Sequence, residues 1–218
     1  MPQIDRIKGE VTLKVIYCGP GLSGKTTNLE VIHEKCPPEA RGKLTTIAQK
    51  QARTIFFDLL PMDLGSLEGW SIKLKVYSVP GQSYFQETRK AIMQGLDGIV
   101  FVADSERSKL LSNYESLHEI EDILKDMRLD ILNIPMVMQY NKRDLDEIMT
   151  VEEMNKELNK GGLPVFEAIA IEGKGIYPTL KCIVMMVLEA TRNMLLNEPH
   201  PSQKLNNNVE TPPPPPAF

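Results

Sequence analysis

Short apolar runs alternate along this chain with longer amphipathic stretches. Val11–Tyr17 reads as a strand, and a Gly-rich turn and a helical stretch over Lys25–Lys35 follow it. Thr54–Leu60 and Trp70–Val79 read as two more strands, and the turn-prone segment Pro61–Gly69 between them predicts a hairpin-like connection. Gly98–Ala103 is apolar throughout, as expected of a strand buried on both faces. Ser108–Met127 carries Leu110, Leu111, Tyr114, Leu117, Ile120, Ile123, Leu124 and Met127 at helical period. Pro135–Tyr140 reads as a strand, Val151–Asn159 as a helix, Val165–Ala170 as a strand and Thr179–Leu196 as a long apolar-rich helix. Strand–helix alternation of this kind predicts a mainly parallel sheet covered by helices on both faces.

Composition sharpens that picture at one end of the chain. Apolar residues make up 42% and charged residues 25%, which suits one ordinary globular core. Proline is in excess, with 16 residues, and the excess sits at Pro199, Pro201 and Pro212–Pro216. Residues 1–196 therefore read as one domain, and 197–218 as a disordered, proline-rich tail with polyproline II character. The net charge of −4 gives no global basic field for nucleic acid. No apolar run approaches the ~18 residues of a membrane span. The first ten residues lack the apolar stretch of a secretory signal. Pro2 stands where myristoylation needs a glycine, and no cysteine lies near Phe218 for prenylation. A cytoplasmic protein without a direct membrane anchor is the expectation. Cys18, Cys36 and Cys182 have no metal-like or redox spacing.

The chemistry is carried by two motifs. Gly19-Pro20-Gly21-Leu22-Ser23-Gly24-Lys25-Thr26, followed by Thr27, fits G-x-x-x-x-G-K-[ST] between a strand and a helix. Glycines let such a loop wrap a polyphosphate and turn its N–H groups inward, and the helix N-terminus adds its positive end. Lys25 would reach the β- and γ-phosphates, and the Thr26 hydroxyl would ligate Mg²⁺. The second motif, Asn141-Lys142-Arg143-Asp144, follows the strand PMVMQY. A carboxylate at Asp144 can accept from N1–H and the exocyclic amine of guanine. Adenine lacks the N1–H, so the carboxylate would be left unpaired against it. Asn141 would steady the loop and touch the purine, and the Lys142 stem would lie along the ring.

With these residues the chain resembles the Ras-like small GTPases, and within them the bacterial gliding-motility and polarity GTPases. The resemblance rests on GPGLSGKTTNL (19–29), RTIFFDLLPMDLG (53–65), YSVPGQ (77–82), GLDGIVFVADS (95–105), QYNKRDL (139–145) and TVEEM (150–154). It implies an α/β P-loop NTPase G domain with a six- to seven-stranded sheet, GTP/GDP cycling, Mg²⁺, and the Ala170 N–H on the guanine carbonyl. The chain departs from the family where D-x-x-G follows the third strand: here the residues are Ser78-Val79-Pro80-Gly81, then Gln82. Gly81 keeps the amide that senses the γ-phosphate, and Gln82 has the type and place to orient the attacking water. Ser78 offers only a neutral hydroxyl. Asp58 is the candidate to compensate, through a water at the Mg²⁺ shell, unless it is a solvent-facing strand residue. The sequence leaves Thr45, Thr46 and Thr54 open as the switch threonine. The resemblance assigns Thr54 to the γ-phosphate and Mg²⁺, and Arg53 to a finger in cis that stabilises the transferring phosphoryl. The partners it implies are a roadblock-domain activating homodimer and response-regulator-type polar receptors, with concentration at a cell pole. Two rivals stay open at this point: a P-loop ATPase or nucleoside kinase, and a GTP-loaded scaffold that hardly hydrolyses.

Overall fold

The computed structural model describes residues 2–51, 53–81 and 86–196. The predicted tail, 197–218, lies outside them. The strands are β1 (Gln3–Asp5), β2 (Glu10–Cys18), β3 (Thr45–Gln51), β4 (Arg53–Leu67), β5 (Trp70–Ser78), β6 (Gly98–Asp104), β7 (Met136–Asn141) and β8 (Val165–Glu167). The helices are α1 (Lys25–Lys35), α2 (Gln86–Met93), α3 (Leu110–Asp126), α4 (Val151–Leu158) and α5 (Ile176–Leu195). They form one α/β domain around an eight-stranded sheet ordered β3-β4-β5-β2-β6-β7-β8. β5, β2, β6, β7 and β8 run parallel, while β3 and β4 are antiparallel additions at one edge. β1 pairs antiparallel with residues 10–12 of β2, on the stretch that β6 leaves free. β1 and β3 raise the strand number to eight. Neither carries an apolar run that periodicity could flag: QID and TTIAQKQ are polar edge segments.

Alternation along the central strands builds two cores. Val11, Leu13, Val15 and Tyr17 of β2 face α1 and α5, meeting Leu29, Ile32, Leu180 and Ile183. Ile16 and Cys18 face the other way, toward Met93 of α2, Ile120 and Leu124 of α3 and Met154 of α4. β6 is buried at every position, as its unbroken apolar sequence requires. The strand predicted over 165–170 stops at Glu167, since Ala168 onward turns into a loop, and the last helix begins at Ile176, with Pro178 tolerated in its first turn.

The segment 61–69 departs from its predicted role as a connection. Pro61–Leu67 continues β4, and the turn is only Glu68-Gly69, with φ of 50° and 85°. Positive φ at both residues is the two-residue hairpin turn whose twist suits flanking strands. Turn-forming residues fall inside β4 because β3 pairs only as far as Leu59, leaving Pro61 on an edge where a missing N–H is tolerated. Gly65 (φ 82°) marks a register shift between Asp63 and Ser66. Trp70, the first residue after the turn, is fully buried in the α1–α5 core.

Candidate functional site

The carboxyl ends of β2, β6 and β7 converge on the N-termini of α1 and α5, where an open parallel sheet places its ligand crevice. The 19–26 loop leaves β2 here and enters α1. Gly19 has φ 137°, and a Cβ there would sit 2.2 Å from the Val102 carbonyl oxygen, so only glycine fits beneath β6. Gly24 caps α1 in the left-handed region, with Asn141 Nδ2 2.2 Å from where a Cβ would stand. Leu22 is left-handed and 90% exposed. Lys25 is buried, and its Nζ donates to the carbonyls of Gly19 (3.0 Å) and Pro20 (2.6 Å). Burial pushes this ammonium down to about 8, opposed by Cys18 and reinforced by Arg89. Burial pushes the neighbouring Cys18 thiol up to about 12, so it is no nucleophile. Gly81 lies directly on the loop: a Cβ there would be 2.5 Å from Gly21 N and 2.7 Å from Gly19 O.

Asn141, at the end of β7, ties the loops together. Its Nδ2 donates to the Ser23 carbonyl (2.8 Å), and its Oδ1 accepts from the Ala170 N–H (2.9 Å). The Ala170 amide expected at a guanine carbonyl is thus already held by Asn141. Lys142 takes φ 64°, and its Nζ donates to the buried Asp104 carboxylate at 2.6 Å, so its stem is braced at the rim. Gly24, Thr27, Asn141, Lys142, Asp144 and Ala170 line a cavity of about 280 Å³. A larger cavity of about 400 Å³, lined by Tyr114, Met136 and Leu158, contains none of the motif residues.

Asp58 is buried, with 7% exposure, not solvent-facing. It pairs directly across the β4–β5 ladder with Ser78, the residue standing at the position of the family's acid. One carboxylate oxygen accepts from the hydroxyls of Thr26 and Ser78, both at 2.8 Å. The other accepts from Thr46, also at 2.8 Å. Cross-strand neighbours stand about 5 Å apart, so the acid sits one strand over yet reaches the phosphate-loop threonine. A sequence signal existed: Asp58 shares strand parity with Leu60 and Met62, which face the core. Of the candidate threonines, Thr46 reaches Asp58, Thr45 donates instead to the Lys43 carbonyl (3.3 Å), and the side chain of Thr54 lies outside the described residues. The donors here are oxygens only, and no cluster of three or more His, Cys, Asp or Glu capable of holding a metal occurs among the described residues. That set fits Mg²⁺, which takes one or two protein oxygens beside phosphate and water. It does not suit a softer metal.

Arg53 and Thr54 head β4, where their backbones pair with Gln51 and Lys50; their side chains lie outside the described residues, as does Gln82. At about 3.3 Å per strand residue, the Thr54 backbone is about 13 Å along β4 from Asp58, and that of Arg53 about 17 Å.

Comparison with known proteins agrees with this geometry. Residues 4–187 match the ADP-ribosylation factor family. The chain is 45% identical over 179 residues to mutual gliding-motility protein MglA of Myxococcus xanthus, covering 82% of this chain and 92% of that protein. It is 28% identical to Ras-related protein Rab7 of Cenchrus ciliaris, covering 86% and 84%, and 25% identical to ADP-ribosylation factor-like protein 3 of Chlamydomonas reinhardtii, covering 70% and 75%. No helix among the described residues is long and apolar enough to cross a membrane. A phosphate loop at the end of β2, a base-side loop pinned to it by Asn141, and these matches place the chain in the ADP-ribosylation factor family of Ras-like small GTPases, enzymes that hydrolyse GTP.

Proposed function

We propose that this GTPase is a nucleotide-controlled switch in bacterial polarity and gliding motility, working through partners that read its GTP-bound shape. The similarity to MglA supports the motility reading. The observation that carries the guanine reading is the Asn141 bridge from Ser23 O to Ala170 N, which fixes the base-side loop against the phosphate loop. Asp144 at that cavity accepts the N1–H and amine of guanine, and Lys142, braced by Asp104, covers the ring.

The phosphates lie along residues Gly19–Thr27, with inward N–H groups and Lys25 on the β/γ oxygens. Thr26 and the Asp58 carboxylate would hold Mg²⁺, and the ion would supply positive charge against the phosphate oxygens. Gln82 orients a water in line with the γ-phosphorus. The new bond forms from that water oxygen, the bond to the β–γ bridging oxygen breaks, and GDP and inorganic phosphate leave with the proton passing to solvent or phosphate. Gly81 senses the γ-phosphate through its amide. Thr54 would meet the γ-phosphate beside the ion, and Arg53 would meet the transferring phosphoryl as a finger supplied in cis. A roadblock-domain homodimer is the activator that favours hydrolysis, and response-regulator-type receptors gather the GTP form at a cell pole in the cytoplasm.

Single-turnover phosphate release tests this reading. GTP-loaded protein is expected to release phosphate slowly alone and at least tenfold faster with the roadblock-domain dimer, and excess ATP is expected not to displace the GTP. No acceleration, or displacement by ATP, overturns it. Lys25 gives a second test. An ammonium held near 8 by burial returns above its ordinary range when phosphate oxygens replace the loop carbonyls. Binding of GDP to nucleotide-free protein is therefore expected to take up clearly more protons at pH 8.5 than at pH 7.5. Calorimetry in two buffers of different ionisation enthalpy measures the uptake, and equal uptake at both pH values refutes it.

A further inference from the structure

Two residues before Asn141, Gln139 is fully buried on β7 with no role in the motifs described above. Its Nε2 donates to Asn28 Oδ1 (3.0 Å) and to Thr179 Oγ1 (3.0 Å), and its Oε1 accepts from Asn28 Nδ2 (2.9 Å). Asn28 and Thr179 are also fully buried. Asn28 Nδ2 donates onward to the Gly24 carbonyl (2.9 Å), and Thr179 Oγ1 donates onward to the Gly175 carbonyl (2.7 Å). Every hydrogen of the two amides and the hydroxyl is used. The Gly24 carbonyl fixes which end of Asn28 is the nitrogen, and that in turn fixes Gln139.

The two end carbonyls belong to special residues. Gly24 and Gly175 are the N-caps of α1 and α5, both in the left-handed region and neither with a side-chain cap. Neither position accepts a side chain: a Cβ on Gly175 would lie 2.0 Å from the Glu167 carbonyl oxygen, and one on Gly24 would lie 2.2 Å from Asn141 Nδ2. The chain Gly24–Asn28–Gln139–Thr179–Gly175 therefore spans the same three segments that Asn141 bridges two residues further along β7. The upper tier is Ser23 O, Asn141 and Ala170 N; the lower tier is this buried network.

We propose that Asn28, Gln139 and Thr179 are positioning residues for the guanine site, a buried brace that sets the spacing between the phosphate loop, the base-side loop and the 168–175 loop. The inference rests on the guanine reading above. Apolar side chains of similar volume fill the same space, but they carry no directional preference, so the three loops lose a fixed spacing even where the core stays full. A polar network closed on itself is worth little in net stability against an apolar replacement. Its contribution is geometric.

The test separates spacing from stability. In the full chain, Gln139→Leu and Asn28→Leu each strand the other amide in the core. The double variant strands nothing, because Gly24 O keeps the backbone N–H of residue 28 and Thr179 keeps Gly175 O. The expected result is fluorescent (mant-labelled) GDP release at least tenfold faster than the parent in both single variants and in the double. The double melts above both singles. It also discriminates less than the parent between GDP and IDP, which lacks the exocyclic amine that Asp144 accepts. A double variant that releases GDP at the parental rate, or keeps the parental GDP/IDP ratio, overturns the brace, as do single variants with unchanged release. A parent that binds ADP as tightly as GDP overturns the guanine reading instead, whatever the variants do.

Discussion

Arg53→Ala is expected to retain GTP and to lose at least a hundredfold in activator-stimulated hydrolysis, with a smaller loss in the unstimulated rate. A guanidinium meeting the transferring phosphoryl supplies two parallel charge-assisted hydrogen bonds where charge spreads in the transition state, and such fingers contribute about 10³–10⁵ in rate. The split between the two rates follows from the proposed role: a finger that stabilises the transition state contributes most to the rate that the proposed activator raises. Gln82→Ala removes the group that orients water and is expected to slow both rates by a similar large factor. Rapid-quench single turnovers with and without the roadblock-domain dimer measure all four. Parental stimulated turnover in Arg53→Ala would refute the finger, and an unchanged basal rate in Gln82→Ala would refute the water-orienting role.

Asp58→Asn is expected to keep the fold and to raise, at least tenfold, the Mg²⁺ concentration needed to retain GTP. The amide preserves shape and can still pair with hydroxyls that donate or accept, but it carries no charge for a divalent ion. Asp58→Ala goes further: it leaves the buried Ser78 hydroxyl without its acceptor, at a cost of about 1–3 kcal/mol in stability, while the exposed Thr26 and Thr46 hydroxyls turn to water. Because Asp58 and Ser78 are direct cross-strand partners, the exchange Asp58→Ser with Ser78→Asp returns a carboxylate to the family's usual strand within about 5 Å of its present place. That double variant is expected to recover most of the Mg²⁺ dependence lost by Asp58→Asn. Nucleotide retention across a Mg²⁺ titration decides the matter. A parental curve for Asp58→Asn removes Asp58 from the ion.

Both motifs could be picked out in the sequence because each is a short contiguous segment with fixed spacing. The spacing Gly19 to Thr26 dictates a loop around phosphate, and Asn141 to Asp144 needs only to follow a buried strand. The central strands and the helices α3, α4 and α5 were legible because burial on one or both faces writes a period into the residues, whereas α1 was placed by the Gly-rich loop that leads into it. β1 and β3 wrote none, since polar edge strands are defined by the partner they pair with.

Fold class, phosphate loop and base-side loop all follow from the order of residues, because local backbone geometry and hydrophobic period are properties of neighbours in the chain. Which acid meets Thr26 is settled in three dimensions. Asp58, Thr46 and Ser78 are 12 to 32 residues from their partners in that cluster, and a ladder register brings them together. The same holds for Gln139, 111 residues from Asn28 and 40 from Thr179. A lone buried amide is indistinguishable in sequence from a surface one. Its meaning lies in the partners that its hydrogens find.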